Sequence, residues 1–258
     1  QRRMAEAGGI EAVVVAMQGN TGRQNAQELG CRALVNALGT QGGGQVRVAE
    51  AGGVSAVVAA MQTHAENETV QQQGCWALAR MSEGADNLEV QVAGALGIGA
   101  VVEAIRRHAG APAVVREALS ALRSLAKNGG ENQFKIAEAG GVDAIVAFMA
   151  AHSRVRDMQA QACAALWDIT ANSRVGQVRV AGEGAIDAVL RAMHLHPRCR
   201  AVQESGCCFL LNLVRETPHV QARLRDGGAP AIVLTAVETF PLEQELQRHA
   251  RALLDQIR

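Results

Sequence analysis

The sequence predicts an all-α helical solenoid, because one motif recurs along the chain at a fixed spacing. Ala-Glu-Ala-Gly-Gly followed by an apolar helix occurs at residues 5–17, 49–61 and 137–146. The second glycine of this motif falls every 44 residues, at Gly9, Gly53, Gly97 and Gly141. A constant period of this length indicates stacked helical units. Aromatic residues make up only 2% of the chain, whereas hydrophobic residues make up 48%, so the core is expected to consist of small aliphatic side chains.

Each unit divides into three predicted helices. A short helix such as 45–51 ends at the Gly-Gly pair, where glycine allows the chain to turn with positive φ. A second helix, about 10–17 in the first unit, is apolar on most sides and is expected to be buried. The third and longest helix, roughly 70–82 in the second unit, carries one apolar stripe.

This division predicts one domain over residues 1–258, made of six units. The units are 1–44, 45–88, 89–132, 133–176, 177–220 and 221–258. We expect this domain to be a piece of a longer protein, since the chain has no initiator methionine and opens inside a unit. In the sixth unit, matching Ala252-Leu253 to Phe209-Leu210 predicts that the loop before the last helix has lost one residue.

Three sets of residues recur in register. Small residues at Gly30, Gly74, Ala162 and Gly206 predict that another helix crosses closely there. The cysteines that follow them, Cys31, Cys75, Cys163 and Cys207, are interpreted as buried thiols in a reducing compartment. Histidines end the second helices at His64, His108, His152 and His196. Their spacing is too wide for one metal ion, so a structural role is predicted.

Composition excludes several classes of function. Lys plus Arg and Asp plus Glu are 25 each, and such a balanced charge argues against a nucleic-acid partner. No apolar run reaches the ~18 residues needed to span a membrane. The expected location is the cytoplasm, with the nucleus as the alternative. The Gly-Gly turns lack the Gly-Lys-Ser/Thr of a phosphate loop. We therefore predict no catalytic, cofactor or metal site, and no enzyme activity.

The chain resembles the armadillo repeat family, in particular the long arrays of vacuolar-protein-8 type and of protist and algal multi-repeat proteins. The strongest local matches are 74–78 (Gly-Cys-Trp-Ala-Leu), 32–36 (Arg-Ala-Leu-Val-Asn) and 228–233 (Gly-Ala-Pro-Ala-Ile-Val). The resemblance covers essentially the whole chain. It implies a right-handed α–α superhelix, an armadillo solenoid of six three-helix repeats of about 44 residues.

The resemblance also implies a protein-binding scaffold, with an extended peptide or partner protein lying in the concave groove of third helices. In related nuclear-import adaptors, a tryptophan and an asparagine four residues later recur on these helices. Here that pattern is broken, so recognition of a nuclear localisation signal is not expected. The residues at or near these positions form the candidate groove: Arg32, Asn36, Trp76, Arg80, Arg116, Ser120, Ser124, Asp168 and Asn212.

Trp76 is the centre of the candidate groove. Arg32, Arg80 and Arg116 are placed near it by the repeat, and guanidinium groups beside an aromatic face suit an acidic or phosphorylated peptide. The alternative is that Trp76 packs against its neighbours and the arginines are solvated. Asp168 toward the other end predicts a groove that is basic near the N-terminus and acidic near the C-terminus.

Two further alternatives concern the whole chain and its paired cysteines. The repeats could be a structural spacer that self-associates end to end through its terminal repeats. Cys207 and Cys208 could be a reactive pair, but no histidine is repeat-matched beside them, so a buried pair is predicted.

Overall fold

The computed structural model describes residues 8–38, 44–83, 92, 94, 96–127, 129–172, 174–182, 184–216 and 218–257. These residues form helices and their connections, with no β-strand among them. The chain divides into two compact units, Gln1–Asn128 and Gly129–Arg258. The prediction of an all-α fold is confirmed. Residues 1–7, which open the first unit, lie outside the described residues, and 92 and 94 are the described part of the predicted third unit before 96.

The first compact unit contains two layers of helices. Its helices are α1 (Gly9–Gly19), α2 (Gln24–Leu38), α3 (Gly44–Glu50), α4 (Gly53–Thr63), α5 (Glu68–Ser82), α6 (Gly97–Arg107) and α7 (Pro112–Lys127). The third helices of the repeats pack side by side, with α2 on α5 and α5 on α7. The second helices form the other layer, with α1 on α4 and α4 on α6.

The second compact unit repeats this arrangement and adds a row of short helices. It contains α8 (Gly130–Glu138), α9 (Gly141–Ala151), α10 (Arg156–Thr170), α11 (Arg174–Gly182), α12 (Ala185–Leu195), α13 (Arg200–Glu216), α14 (Pro218–Asp226), α15 (Ala229–Thr239) and α16 (Gln244–Ile257). The third helices pack as α10 on α13 and α13 on α16. The second helices α9, α12 and α15 pack in the same order.

The Gly-Gly pairs at 8–9, 52–53 and 140–141 form the sharp turn into their second helices, as predicted. The first glycine of the pair precedes the helix in the left-handed conformation, with φ of 76° at Gly52 and 75° at Gly140. The second glycine is buried, and a Cβ atom on Gly53 would lie 2.6 Å from Cγ1 of Val48. Leu96 takes the place of the first glycine in the third repeat, with φ of 61°. A non-glycine residue is strained in this conformation.

A buried glutamine near the start of the third helix ties that helix to the second helix of its own repeat. Gln71 Nε2 donates to the carbonyl oxygens of Met61 at 2.7 Å and His64 at 3.1 Å. The same two bonds recur, to the residues ten and seven positions earlier, at Gln27, Gln159, Gln203 and Gln247. Val115 holds this position in the third repeat. The sequence analysis missed this set of glutamines.

The glutamine bonds correct the predicted register of the last repeat. Gln247 stands 44 residues after Gln203 and bonds to Val237 and Phe240 through the same spacing. The second helices α12 and α15 also begin 44 residues apart, at Ala185 and Ala229. The prediction of a lost loop residue is therefore wrong. Ala252-Leu253 was aligned with Phe209-Leu210 by residue type alone, whereas the buried hydrogen bonds fix the register.

The prediction of a close helix crossing at the small residues is confirmed. A Cβ atom on Gly74 would lie 2.4 Å from Cγ of Met61, and one on Gly30 would lie 2.4 Å from Cγ of Met17. At Gly206 the equivalent neighbour is the sulfur of Met193, at 2.6 Å. In these three repeats the second helix therefore places a methionine where the third helix has no side chain.

The histidines at the ends of the second helices connect successive repeats. His64 Nε2 lies 2.6 Å from the carbonyl oxygen of Thr21, in the loop one repeat earlier. His108 makes the same contact with Ala65 at 2.7 Å, and His196 with Ser153 at 2.7 Å. These three histidines therefore have the structural role that was predicted, since each ring nitrogen contacts a carbonyl oxygen of the preceding loop.

The in-register cysteines are free and buried, as predicted. Cys31, Cys75, Cys163 and Cys207 are 0% exposed. Burial raises the pKa of Cys163 from its ordinary value of 9.0 to about 12, because the apolar surroundings disfavour the thiolate. These thiols are packing residues. None of the described helices is both long and apolar enough to cross a lipid bilayer.

Candidate functional site

The candidate groove residues of the first compact unit lie on three third helices packed side by side. Arg32 on α2, Trp76 on α5 and Ser120 on α7 occupy equivalent positions, 44 residues apart. Arg32 is exposed, while Trp76 and Ser120 are half-buried. Because α5 packs against both α2 and α7, these three residues form one row across the layer.

Trp76 lies in this row because its helix buries the opposite stripe. Val70, Cys75, Leu78 and Met81 are all 0% exposed. The tryptophan side chain stands off that stripe and remains accessible in part. No described arginine makes a cation–π contact with Trp76. The expected grouping of Arg32, Arg80 and Arg116 around Trp76 stays a prediction.

Two of the three predicted arginines are already paired with acids that the sequence analysis did not weigh. Arg80 forms an ion pair with Glu83, one turn further along. Arg116 Nε lies 3.6 Å from Oε1 of Glu117. Arg32 forms no ion pair with any residue that the structure describes. The Arg80 and Glu83 side chains are 48% and 42% exposed, and such surface pairs contribute little stability. A stronger anion could therefore displace the glutamate.

Glu117 is the main omission near Trp76. Partial burial raises the pKa of this carboxyl group, and the neighbouring Arg116 opposes that rise. The charge of Glu117 also raises the pKa of Cys75, which directly precedes Trp76. The acid therefore lies near the middle of α5, on the neighbouring helix α7. Acidic residues do not recur at this position of the repeat, so the repeat pattern did not single out Glu117.

The remaining predicted residues of the first compact unit differ in accessibility. Asn36 on α2 is exposed. Ser124 on α7 is buried, with 8% of its surface exposed, so its hydroxyl group is not accessible to a partner. The reason is its place in the buried stripe of α7, between Leu122 and Leu125, which are both 0% exposed.

The predicted residues of the second compact unit are Asp168 and Asn212. Asp168 lies half-buried near the end of α10, and its backbone carbonyl accepts a hydrogen bond from Gln133 at 3.0 Å. Asn212 on α13 is half-buried too. Its side-chain nitrogen lies 3.5 Å from the hydroxyl oxygen of Thr170, on the neighbouring α10. The amide of Asn212 thus has an internal partner.

The sequence analysis also overlooked a contact between a cysteine and a histidine. Cys208 Sγ on α13 lies 3.2 Å from Nδ1 of His249 on α16. Cys208 is buried, as predicted, with 3% of its surface exposed. The prediction that no histidine lies beside Cys208 was based only on equivalent positions of the repeats. The contact joins residues 41 apart, so the 44-residue period does not display it.

Four cavities lined by described residues lie on the other layer, between successive second helices. The cavity between α9 and α12 has a volume of about 170 Å³ and is lined by residues including Val146, Met149 and Ala188. A cavity of about 210 Å³ lies between α4 and α6, beside Met61. The candidate groove residues line none of the four. The cavities follow the repeat, one beside each of four second-helix methionines.

Comparison with known proteins decides the family. A family model described as "LRRK2 ARM repeat" matches residues 45–180, which is more than half of the 258-residue chain. The chain belongs to this armadillo repeat family. The resemblance inferred from the sequence is thereby confirmed at the level of the family. No curated protein matches the armadillo chain significantly.

Solved armadillo structures show the same fold. An engineered protein, Northeast Structural Genomics Consortium target OR329, is 21% identical, with 96% of each chain covered and a TM-score of 0.82. The designed armadillo repeat protein YIII(Dq)4CqI is 18% identical, covers 96% of this chain and 100% of its own, and has a TM-score of 0.81. The all-α armadillo solenoid is therefore established for this chain.

One further neighbour was solved with a ligand. The designed armadillo repeat protein YIII(Dq.V1)4CPAF, in complex with the peptide (KR)4, is 18% identical and has a TM-score of 0.81, with 96% of this chain and 99% of its own covered. At this level of identity the likeness describes the fold alone. The contacts of that peptide are not carried over to this chain.

Proposed function

We propose that this armadillo domain is a non-enzymatic protein-binding scaffold whose partner contacts the layer of third helices. The observation that carries the proposal is the partly exposed Trp76, in a row with Arg32 and Ser120. Tryptophan and arginine supply most of the binding energy at many protein interfaces. A partly accessible tryptophan, in a chain of which only 2% is aromatic, is well suited to anchor a partner.

We propose an extended acidic or phosphorylated segment as the partner near Trp76. Arg32 has no described ion-pair partner, and Arg80 is held only by the exposed Glu83. A phosphate accepts paired hydrogen bonds from a guanidinium group and competes effectively with a surface carboxylate. Glu117 opposes this attraction, so selectivity is expected to depend on how far the acidic group lies from α7.

The proposal is tested with pairs of fluorescent peptides that differ only in phosphorylation, measured by fluorescence anisotropy. The wild-type chain is expected to bind the phosphorylated members at least tenfold more tightly, with affinity falling as salt is raised. The double variant Trp76→Ala with Arg80→Glu should lose this preference. Arg154→Glu serves as the control, because Arg154 is exposed but lies in the loop before α10.

Equal binding of all peptides by the wild type and the double variant would remove Trp76 from the proposed site. Loss of binding in the Arg154→Glu control as well would show general charge attraction instead of a site on the third helices. Circular dichroism of each variant establishes that the helices are retained.

Self-association is a second candidate function, supported by two exposed apolar residues on the first two helices. Val15 on α1 is 65% exposed and Leu29 on α2 is 63% exposed. Apolar side chains exposed to this extent are available to contact another copy. Sedimentation velocity over a hundredfold range of concentration tests this candidate. A monomer throughout would exclude it, and a dimer lost in the Leu29→Glu variant would support it.

A further inference from the structure

The cavity between α9 and α12 has room for a compact apolar molecule. Its volume is about 170 Å³, and its walls include the apolar side chains of Val146, Met149 and Ala188. An apolar protein cavity of about 150 Å³ is large enough to bind benzene. The space between these two helices therefore accepts a single aromatic ring or a short alkyl chain.

Val146 shows that this space departs from the usual packing of the second helices. Val146 is half-buried, and a Cβ atom built on Gly184 would lie 3.9 Å from its Cγ1, so the glycine faces Val146 without a side chain. Leu234 in the last repeat is also exposed. In the other four repeats the equivalent residues are at most 5% exposed: Val14, Val58, Val102 and Leu190. The apolar wall at Val146 is thus left uncovered between two packed helices.

Arg191 gives this cavity a positive charge that the other three lack at the same position. Its equivalents in the other repeats carry no positive charge: Val15, Ala59, Glu103, Ala147 and Thr235. Arg191 is exposed and forms no ion pair with any residue that the structure describes. The acid that lines the cavity, Asp187, is already paired, since Arg223 Nη2 lies 2.7 Å from its Oδ2. The guanidinium charge of Arg191 is therefore available to an anion.

The remaining polar groups of the walls limit which other donors a ligand can meet. Gln159 Nε2 donates to the carbonyl oxygens of Met149 and His152, both at 3.0 Å, so its two amide hydrogens are in use. The hydroxyl group of Ser153, also in the wall, is half-buried. Arg191 and Ser153 are thus the side chains that can donate hydrogen bonds to a ligand in this cavity.

We propose that the cavity between α9 and α12 binds a small carboxylate with a compact apolar body, such as a substituted benzoate. The apolar body occupies the space beside Val146, Met149 and Ala188, where it is removed from water. The carboxylate accepts hydrogen bonds from the Arg191 guanidinium group, which can pair with both of its oxygens. An alcohol of the same shape keeps the burial but loses the charge, and an amine is repelled by Arg191.

The test compares three ligands of one shape by fluorine NMR: para-fluorobenzoate, para-fluorobenzyl alcohol and para-fluorobenzylamine. The intact chain is expected to bind the carboxylate at least about tenfold more tightly than the alcohol, and the amine least tightly. Arg191→Gln should remove the preference for the carboxylate over the alcohol. Arg198→Gln is the matched control and should bind as the wild type does, because Arg198 is exposed but lines none of the four cavities.

Methionine methyl NMR identifies the cavity that is occupied, because each of the four lies beside a different methionine. The carboxylate should shift the methyl resonance of Met149, which Met149→Leu assigns, and should leave those of Met61 and Met193 in place. Ala188→Ile should fill the space and abolish binding of both the carboxylate and the alcohol. Ile232 holds the equivalent position in the last repeat, so the fold accommodates this side chain.

Several results would overturn the proposal. They are the absence of carboxylate binding by the wild type, equal binding of the three ligands, and carboxylate binding that Arg191→Gln leaves unchanged. A shift at Met61 or Met193 in place of Met149 would also do so. Binding of the neutral N-acetylphenylalaninamide, without binding of the carboxylate, would show that the cavity receives a partner's side chain instead. The peptide measurements on Trp76 are independent of these outcomes.

Discussion

Leu96 adopts a backbone conformation that the other described repeats assign to glycine. Its φ is 61°, whereas Gly8, Gly52, Gly140, Gly184 and Gly228 have φ between 71° and 76°. A left-handed conformation costs an L-residue about 1–2 kcal/mol. The Leu96 side chain is 69% exposed, so its removal forfeits little burial. The strain therefore has no compensating contact of its own.

We predict that Leu96→Gly raises the free energy of unfolding by about 1 kcal/mol, because glycine relieves the strain. Urea denaturation followed by circular dichroism measures the change. Leu242→Gly is the matched control, since Leu242 is 90% exposed and does not have positive φ. The control should be neutral or slightly destabilising. Stabilisation by both substitutions to the same extent would contradict the role of strain.

The buried glutamines predict a second effect at the scale of single residues. Gln71 satisfies two carbonyl oxygens at the end of α4 and is 3% exposed. Gln71→Met keeps the approximate volume but leaves those oxygens without this donor, at an expected cost of about 2–3 kcal/mol. Gln72→Met on the same helix is the control, since Gln72 is half-buried. Equal costs for the two variants in urea denaturation would refute this role for Gln71.

The buried thiols make stability depend on alkaline pH. The pKa of Cys163 is about 12 in the folded chain, against 9.0 ordinarily, because burial disfavours the thiolate. The folded state thus retains a proton that the unfolded state loses. Stability from this group is complete below pH 9 and is lost as pH rises toward 12, by roughly 1.4 kcal/mol per pH unit per thiol.

Urea denaturation at several pH values from 8 to 10.5 tests this prediction. Cys163→Ala should reduce the slope of stability against pH above 9 by the contribution of one thiol. The chain contains no tyrosine, so no phenol titrates in the same range. An unchanged slope in the variant would show that the Cys163 thiol ionises as easily in the folded chain as in the unfolded one.

At the scale of the element, the close contact between second and third helices depends on the missing side chain of Gly74. A Cβ atom there would lie 2.4 Å from Cγ of Met61. Gly74→Val is expected to cost about 3 kcal/mol through overpacking. Gly99→Val is the matched control, because Gly99 lies inside α6 with no heavy atom within 4 Å of its added Cβ. Thermal unfolding should separate the two variants clearly; similar midpoints would exclude steric control at Gly74.

The sequence predicted the elements well wherever a pattern repeats. The glycine period located the turns, and the apolar stripe of α5 was buried as predicted at Val70, Cys75, Leu78 and Met81. The small residues on the third helices also predicted where helices cross closely. The sequence did not predict that Met17, Met61 and Met193 fill these crossings, because the sequence of an apolar helix does not show which neighbour a methionine contacts.

The candidate site was harder to predict than the helices, because it depends on contacts between residues that the 44-residue repeat does not relate. Trp76 was found as a departure from its column, and the structure leaves it partly exposed. Glu83 and Glu117 were overlooked, although they pair with Arg80 and Arg116. Side-chain pairing between neighbouring turns depends on rotamers, which residue spacing alone does not specify. The Cys208–His249 contact was missed for a related reason, since it joins two different columns.

At the scale of the whole molecule, the proposed repeat boundaries predict which deletions are tolerated. Removing residues 45–88, one complete 44-residue repeat, brings equivalent positions together at the junction. Because each repeat contacts mainly its neighbours, the shortened chain should keep its helix content per residue and unfold cooperatively. Removing only residues 45–74 should leave unmatched helices and a poorly folded chain.

Circular dichroism spectra and thermal melts of the two deletion variants measure the difference. Cooperative unfolding of both variants would contradict a 44-residue structural period. Loss of structure in both would indicate that the repeats do not substitute for one another. The full-length chain, melted under the same conditions, provides the reference.

The histidine contacts have a consequence for how such a chain lengthens over generations. A copied segment that contains His64 and Ala65 carries both a histidine that reaches back to the loop before it, as His64 does to Thr21, and a loop that serves the next histidine, as Ala65 does for His108. A tandem gene duplication in register therefore inherits both partners of each junction at once. Unequal crossing-over could add or remove such segments in a single event, without waiting for compensating mutations at the new boundary.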